Sequence, residues 1–187
     1  MPSKLRLCAG LLACIVLWLA PIERVAADII VVNSAELRLD DEQYDLNAEF
    51  GFALNRTLEE ALHNGIPLYF DLEFDLSRPR PFWFDDTVAH LAITYRVSYD
   101  ALTQKFRVAT GLLSQQLDSL DEVERLIARV VARPVVRQDA VTKGVRYEAA
   151  LRLRLDVAQL PKPFQINALA SREWSLTSDW YRWTFVP

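Results

Sequence analysis

Beyond position 14 the sequence contains no cysteine; its two, Cys8 and Cys14, both lie near the start. Disulfides and thiolate metal sites are therefore excluded for everything downstream. Histidine is nearly as scarce. His63 and His90 stand alone, without His-x-His or His-x-x-x-His spacing, and offer no transition-metal site. Only five glycines occur in 187 residues, and none belongs to a phosphate loop, a dinucleotide fingerprint or a Gly-x-Ser-x-Gly elbow. The expectation is a chain with no assigned catalytic residue, no metal and no cofactor. Basic charge is also in deficit, at 21 Lys and Arg against 25 Asp and Glu.

What is present begins with a recognisable N-terminal pattern. Lys4 and Arg6 precede an uninterrupted small or apolar run from Leu7 to Ala20, which Pro21 breaks before Val25-Ala26-Ala27. A basic start, a short greasy middle and small residues at −3 and −1 describe a secretory signal peptide cut after Ala27. The run falls short of the roughly 20 residues a membrane span needs. An uncleaved inner-membrane anchor is the alternative. Leu11-Leu12-Ala13-Cys14 has a trace of a lipoprotein cleavage site, but the apolar run continues to Ala20, so lipidation is not expected. Residues 1–27 are thus read as a signal peptide and 28–187 as a single domain, exported and periplasmic, with no membrane span in the mature chain. Removing Lys4, Arg6, Arg24 and Glu23 leaves 18 basic and 24 acidic residues, a net charge of −6, which argues against nucleic acid or anionic membranes as partners. Without disulfides, such a chain relies on its core, and the length suffices to bury one.

The organising stretch is GIPLYFDLEFDL, Gly65 to Leu76. Ile66, Leu68, Phe70, Leu72, Phe74 and Leu76 alternate with Pro67, Tyr69, Asp71, Glu73 and Asp75, giving a strand with one dry and one largely acidic face. Upstream, Ala35, Leu37 and Leu39 form one alternating run. Tyr44, Leu46, Ala48, Phe50, Phe52 and Leu54 form another, and together they read as an antiparallel hairpin. Thr57-Leu58-Glu59-Glu60 is a capping box opening a short helix that ends at Asn64-Gly65. Downstream, Ala89 to Tyr99 and Phe106 to Thr110 alternate around a turn at Asp100–Lys105. Ser119-Leu120-Asp121-Glu122 opens a longer helix carrying Val130 and Val131 and stopping at Arg133-Pro134. Val135 and Val136 begin a further strand, and Val145 to Leu155 alternates most cleanly of all. The C-terminal part, from Pro161 onward, is less regular but rich in aromatics (Trp174, Trp180, Tyr181, Trp183, Phe185) that close one end of the core. The fold expected is α+β, mainly antiparallel β, a sandwich or open barrel with two short helices.

A shift of 62 residues lays Ala35 on Val97, Leu37 on Tyr99, Tyr44 on Phe106 and Thr57 on Ser119. This echo reads as an internal duplication of a strand–strand–helix–strand unit. The plainer alternative is chance agreement between amphipathic hairpins.

The runs ALHNGIPLYFDLEF, RPRPFWFDD, YRVSYDALTQKFRV, SLDEVERL and the closing W-x-L-x-S-x-W-Y-R-W resemble an exported proteobacterial family of unknown function, domain-of-unknown-function 4390. The resemblance covers nearly all of the mature chain. It implies a signal peptide and a periplasmic or envelope location. Similar proteins tend to be encoded beside a nitrogen-type sensor kinase, which implies a signalling or envelope connection. It assigns no catalytic or binding residue.

Two surfaces invite chemistry. Asp71, Glu73 and Asp75 form an acidic row that would suit glycoside hydrolysis or calcium. The plainer reading pairs the row with Arg146, Arg152 and Arg154 on a neighbouring strand. Arg78, Arg80, Phe82 and Trp83 form the candidate interaction surface, since arginine and tryptophan are favoured at hot spots and flanking prolines stiffen the loop. Its plainer reading is a crossover whose aromatics tuck under the sandwich. The function expected is a non-enzymatic envelope interaction or accessory protein with an unknown envelope protein as partner. One alternative is a carrier of a lipid or small apolar ligand between the sheets, enclosed by Phe50, Phe70 and Phe74. A second is an envelope glycan hydrolase.

Overall fold

The structure, a computed structural model, describes residues 30–187; the expected signal peptide, its cleavage point and both cysteines lie outside the described residues. Strands β1 (Val31–Asp40) and β2 (Gln43–Gly51) form the hairpin that the alternation predicts, turning at Asp41-Glu42. Helix α1 (Arg56–His63) leads into β3 (Leu68–Arg78), which runs antiparallel to β4 (Asp86–Asp100) on one side and β8 (Tyr147–Leu155) on the other. Strands β5 (Lys105–Thr110) and β6 (Leu113–Leu117), helix α2 (Leu120–Ile127) and strand β7 (Arg129–Arg137) follow β4, and helix α3 (Lys162–Ala170) and strand β9 (Tyr181–Phe185) follow β8. All pairings are antiparallel, in one sheet ordered β1-β2-β7 and one ordered β6-β5-β4-β3-β8-β9. Neither closes into a barrel, so the architecture is sandwich-like.

The period of two decides the core. Leu68, Phe70, Leu72, Phe74 and Leu76 of β3 and Ala149, Leu151 and Leu153 of β8 are wholly buried. Tyr44, Leu46, Ala48 and Phe50 of β2 face them from the smaller sheet. Ring contacts join the layers, with Tyr44 edge-on to Phe185 at 5.0 Å and Phe52 tilted against Phe70 at 5.7 Å. The C-terminal aromatics close the core only in part: Trp174 and Phe185 are buried and Trp183 packs on Phe74, whereas Tyr181 is exposed.

Several expectations need correcting. The first helix is capped by Asn55, whose side chain accepts from the Leu58 amide; Thr57 lies inside the helix and donates its hydroxyl to Glu173. Ser119 does cap α2, accepting from the Glu122 amide. We expect Asn55→Ala and Ser119→Ala each to cost about 1 kcal/mol in chemical denaturation, whereas Thr57→Ala stays within about 0.5 kcal/mol. A larger loss at Thr57 than at Asn55 would reinstate the original box.

Helix α2 ends at Ile127, six residues before Arg133-Pro134. The Ala128 carbonyl accepts from the Phe50 amide, and the chain then pairs along β2 as β7. The open flank of β2 outcompetes continued helix for a β-branched segment. Pro134 is tolerated because β7 is an edge strand with register shifts on either side of Asp45-Leu46. Strand β6 and helix α3 are additions to the expected elements. The turn into β6 is made at Gly111, whose φ is +58°. The echo survives in element order, with β6 inserted in the second half. Pairing differs between halves, however: β7 joins the second strand of its neighbouring hairpin and β3 the first.

Candidate functional site

The acidic row resolves into an ion-pair ladder. Register places Asp71 opposite Arg154 and Glu73 opposite Arg152 across β3 and β8. Arg154 Nη2 lies 2.9 Å from Asp71 Oδ2 and its Nε 3.1 Å from Glu73 Oε1, while Arg152 hydrogen-bonds Glu73 Oε2 through both Nε and Nη2. The Arg152 guanidinium also sits 4.4 Å above the Trp180 ring. On the β4 side, Thr94 donates to Asp71 at 2.7 Å, and His90 Nδ1 meets Asp75 Oδ1 at 2.6 Å. Burial pushes the Glu73 carboxyl up, but hydrogen bonds and charge from Arg152 and Arg154 outweigh it and hold the group below the usual glutamate range. A general acid needs the opposite shift, so the ladder is built for cross-strand pairing. Arg146 takes no part; it is exposed and precedes β8.

Asp156 also joins the ladder, its Oδ1 3.6 Å from Arg154 Nη1; His63, Asp45 and Glu124 lie elsewhere. His63 ends α1, its Nδ1 2.9 Å from the Glu59 carbonyl and its ring 4.5 Å from Tyr99. Asp45, buried on β2, belongs to the other sheet. Burial pushes the Glu124 carboxyl up, although its oxygen accepts from the Leu54 amide at 2.7 Å. Among the described residues, no three of His, Cys, Asp and Glu gather as a metal-ligand set. None of the described helices is long and apolar enough to cross a membrane. Phe70 and Phe74 are wholly buried and Phe50 nearly so, packed in the common core.

The hairpin loop 79–85 between β3 and β4 is different in kind. Phe82, Trp83 and Phe84 are almost fully exposed, at 105%, 75% and 90% of their reference areas. The plainer expectation, aromatics tucked under the sandwich, is thereby overturned: the loop extends past the last β3–β8 pair, Ser77 with Glu148, and among the described residues nothing covers its aromatics. The base of the loop is braced by charge. Arg78 and Arg80 both reach Asp86 Oδ2, and the Arg80 amide donates to Asp85 at 3.4 Å. Phe82 has φ +65°, a left-handed conformation that bulky residues rarely adopt. All four residues of the candidate surface therefore come together, and Phe84 completes it. The contiguous Phe-Trp-Phe flanked by Pro79 and Pro81 carries that signal in the sequence, provided the segment is read as a hairpin tip.

The profile of a family described as Domain of unknown function (DUF4390) matches residues 27–184. No curated protein and no solved structure matches the chain.

Proposed function

The chain belongs to the DUF4390 family, and for it we propose the role of a non-enzymatic interaction or accessory protein of the cell envelope, with the Arg78–Phe84 loop as its contact surface. The observation that carries this reading is the display of three adjacent aromatics on a braced tip. Each such side chain buries 150–250 Å² on docking, so the three together supply roughly 450–750 Å², most of one partner's share of a standard interface. Tryptophan and arginine at the centre of such a patch are the residue types that dominate binding energy. The left-handed Phe82 supports the same reading. Strain at an exposed loop confers no stability, and bulky residues held in such conformations cluster at contact sites. The export pattern at the N-terminus supports an envelope setting for this interaction.

The test is residue-specific photo-crosslinking in cells, with a photoreactive aromatic at position 83 and, as control, at Leu102, an apolar residue at least as exposed in another turn. Adducts to one identified envelope protein from position 83, absent from 102 and removed by Phe82→Ser, are expected. Equal labelling from both positions, or none from 83, overturns the proposal. Phe82→Gly should leave the unfolding midpoint unchanged or slightly raised, because relief of the left-handed strain, about 1–2 kcal/mol, offsets glycine's added chain entropy.

A further inference from the structure

We propose that the groove between β6 and β7 accepts an extended peptide bearing carboxylate side chains, added as a strand to the free edge of β6. This surface is separate from the hairpin tip and does not rest on it.

Strand β6 terminates the larger sheet and β7 the smaller, and residues of both line one groove. Between them lies a groove of about 500 Å³. Its floor includes Tyr95, Val108 and Val130, all under 9% exposed, so the floor is closed by side chains already packed. An acyl chain finds no tunnel there, whereas a strand laid along the groove meets backbone on its flank. Arg129 and Arg133 stand on the β7 side, exposed and without an ion-pair partner within 4 Å among the described residues. The Arg133 charge is close enough to act on the buried Tyr95 phenol. Arg129 faces Glu49 across the β2–β7 register without an ion pair, and Arg133 faces Leu46; two guanidiniums free of ion pairs among the described residues, beside an apolar floor, select a carboxylate-bearing occupant.

The edges themselves point to β6. Edge strands are normally blunted by charge, proline or bulges. Strand β1 carries the Glu36–Arg38 pair and a register shift near Val32, β7 carries Pro134 and two shifts, and β9 carries Arg182 paired to Glu148. Strand β6 has only Ser114, Gln115 and Gln116 between its leucines, with no charge, proline or register shift. Its first four residues are exposed, and Leu112 and Leu113 are strongly so. Five residues of edge, about 17 Å, match a short added strand whose alternate side chains enter the groove while its backbone hydrogen-bonds β6. Edge-to-edge pairing of two copies through β6 would bring two sets of Arg129 and Arg133 beside one seam, where Asp118, next to β6, is already paired to Lys105.

The test uses the purified protein and a fluorescein-labelled heptapeptide alternating valine with glutamate, with its lysine counterpart as control. The glutamate peptide should bind in fluorescence anisotropy and slow amide exchange at Leu113–Leu117. Binding should weaken at least tenfold in the Arg129→Ala/Arg133→Ala double variant, and again in Arg133→Glu should the double variant fail to fold. The lysine peptide should not bind. The proposal is overturned by equal binding of both peptides, by no binding at millimolar concentration, by unchanged affinity in a folded arginine variant, or by binding that leaves β6 exchange unaltered. A sedimenting dimer with β6 protected in the absence of peptide overturns it too.

Discussion

Phe74→Ala is expected to destabilise the fold by about 3–5 kcal/mol, the range for truncating a fully buried phenylalanine. Phe74 is wholly buried on the central strand of the six-stranded sheet, between Leu91 of β4 and Leu151 of β8, with the Trp183 ring 6.1 Å from its own. The surrounding residues belong to three strands tied by continuous backbone pairing, so they have little freedom to collapse into the space. The cost therefore includes a cavity contribution beyond the lost transfer energy. In a domain of this size the melting temperature should fall by several degrees or more. Guanidinium denaturation should show a lower midpoint with an unchanged slope. Phe82→Ala, the same chemical change eight residues along the chain, should change the unfolding free energy by less than about 0.5 kcal/mol, because the ring is already in solvent. If both variants lose similar stability, the burial contrast described here is wrong.

The second large effect is electrostatic. Arg154→Ala is expected to cost about 2–3 kcal/mol, less than the full penalty for breaking a buried pair because the guanidinium retains some solvent contact. Its side chain is 31% exposed, but Asp71 and Glu73 are only 13% and 19% exposed, and they lose their shared partner when Arg154 is removed. The ladder also makes stability depend on pH. Glu73 has a folded pKa below its ordinary 4.5. The unfolded chain therefore takes up this proton first as pH falls. The contribution of Glu73 is fully present above its ordinary pKa and is lost as pH drops through the lower folded value. Glu124 has the opposite sign: its raised folded pKa gives a contribution present below the ordinary value and lost as pH rises through the folded one. Unfolding free energies measured from pH 7 down to pH 3 should fall in the native protein. They should fall less steeply in Glu73→Gln, which has nothing to titrate at that position, while Glu124→Gln should steepen the fall. An acid limb identical in Glu73→Gln and the native protein would show that the ladder does not set it.

Local elements were legible wherever side-chain period and capping agreed with the final packing. The Leu68–Leu76 and Tyr147–Leu155 alternations specify which face is dry without reference to any partner, and both strands occupy the centre of the larger sheet. The Asn64-Gly65 stop likewise follows from glycine's access to positive φ, realised at +79° in Gly65. Even the pairing of the acidic row was readable, since strands of opposite charge pattern fit side by side. Arg146 was misplaced because a strand's starting residue depends on its neighbours' hydrogen bonds. The candidate tip residues were identifiable by type, but not their exposure.

The chain's own chemistry thus determined the antiparallel ribbons, the dry faces, the reliance on a core without sulfur bridges downstream of Cys14, and the Phe-Trp-Phe run between prolines. Tertiary structure alone decided the fate of Arg129–Arg137. Its valines serve a helix or a strand equally well, and the open flank of β2 settled the choice by offering backbone partners. It also decided whether Phe82, Trp83 and Phe84 are core or surface, because burial is a property of what lies opposite a side chain. Nothing in Leu113–Leu117 marks a strand by pattern. That segment is one because Gly111 folds it back onto β5, and its bare edge exists only because the sheet ends there.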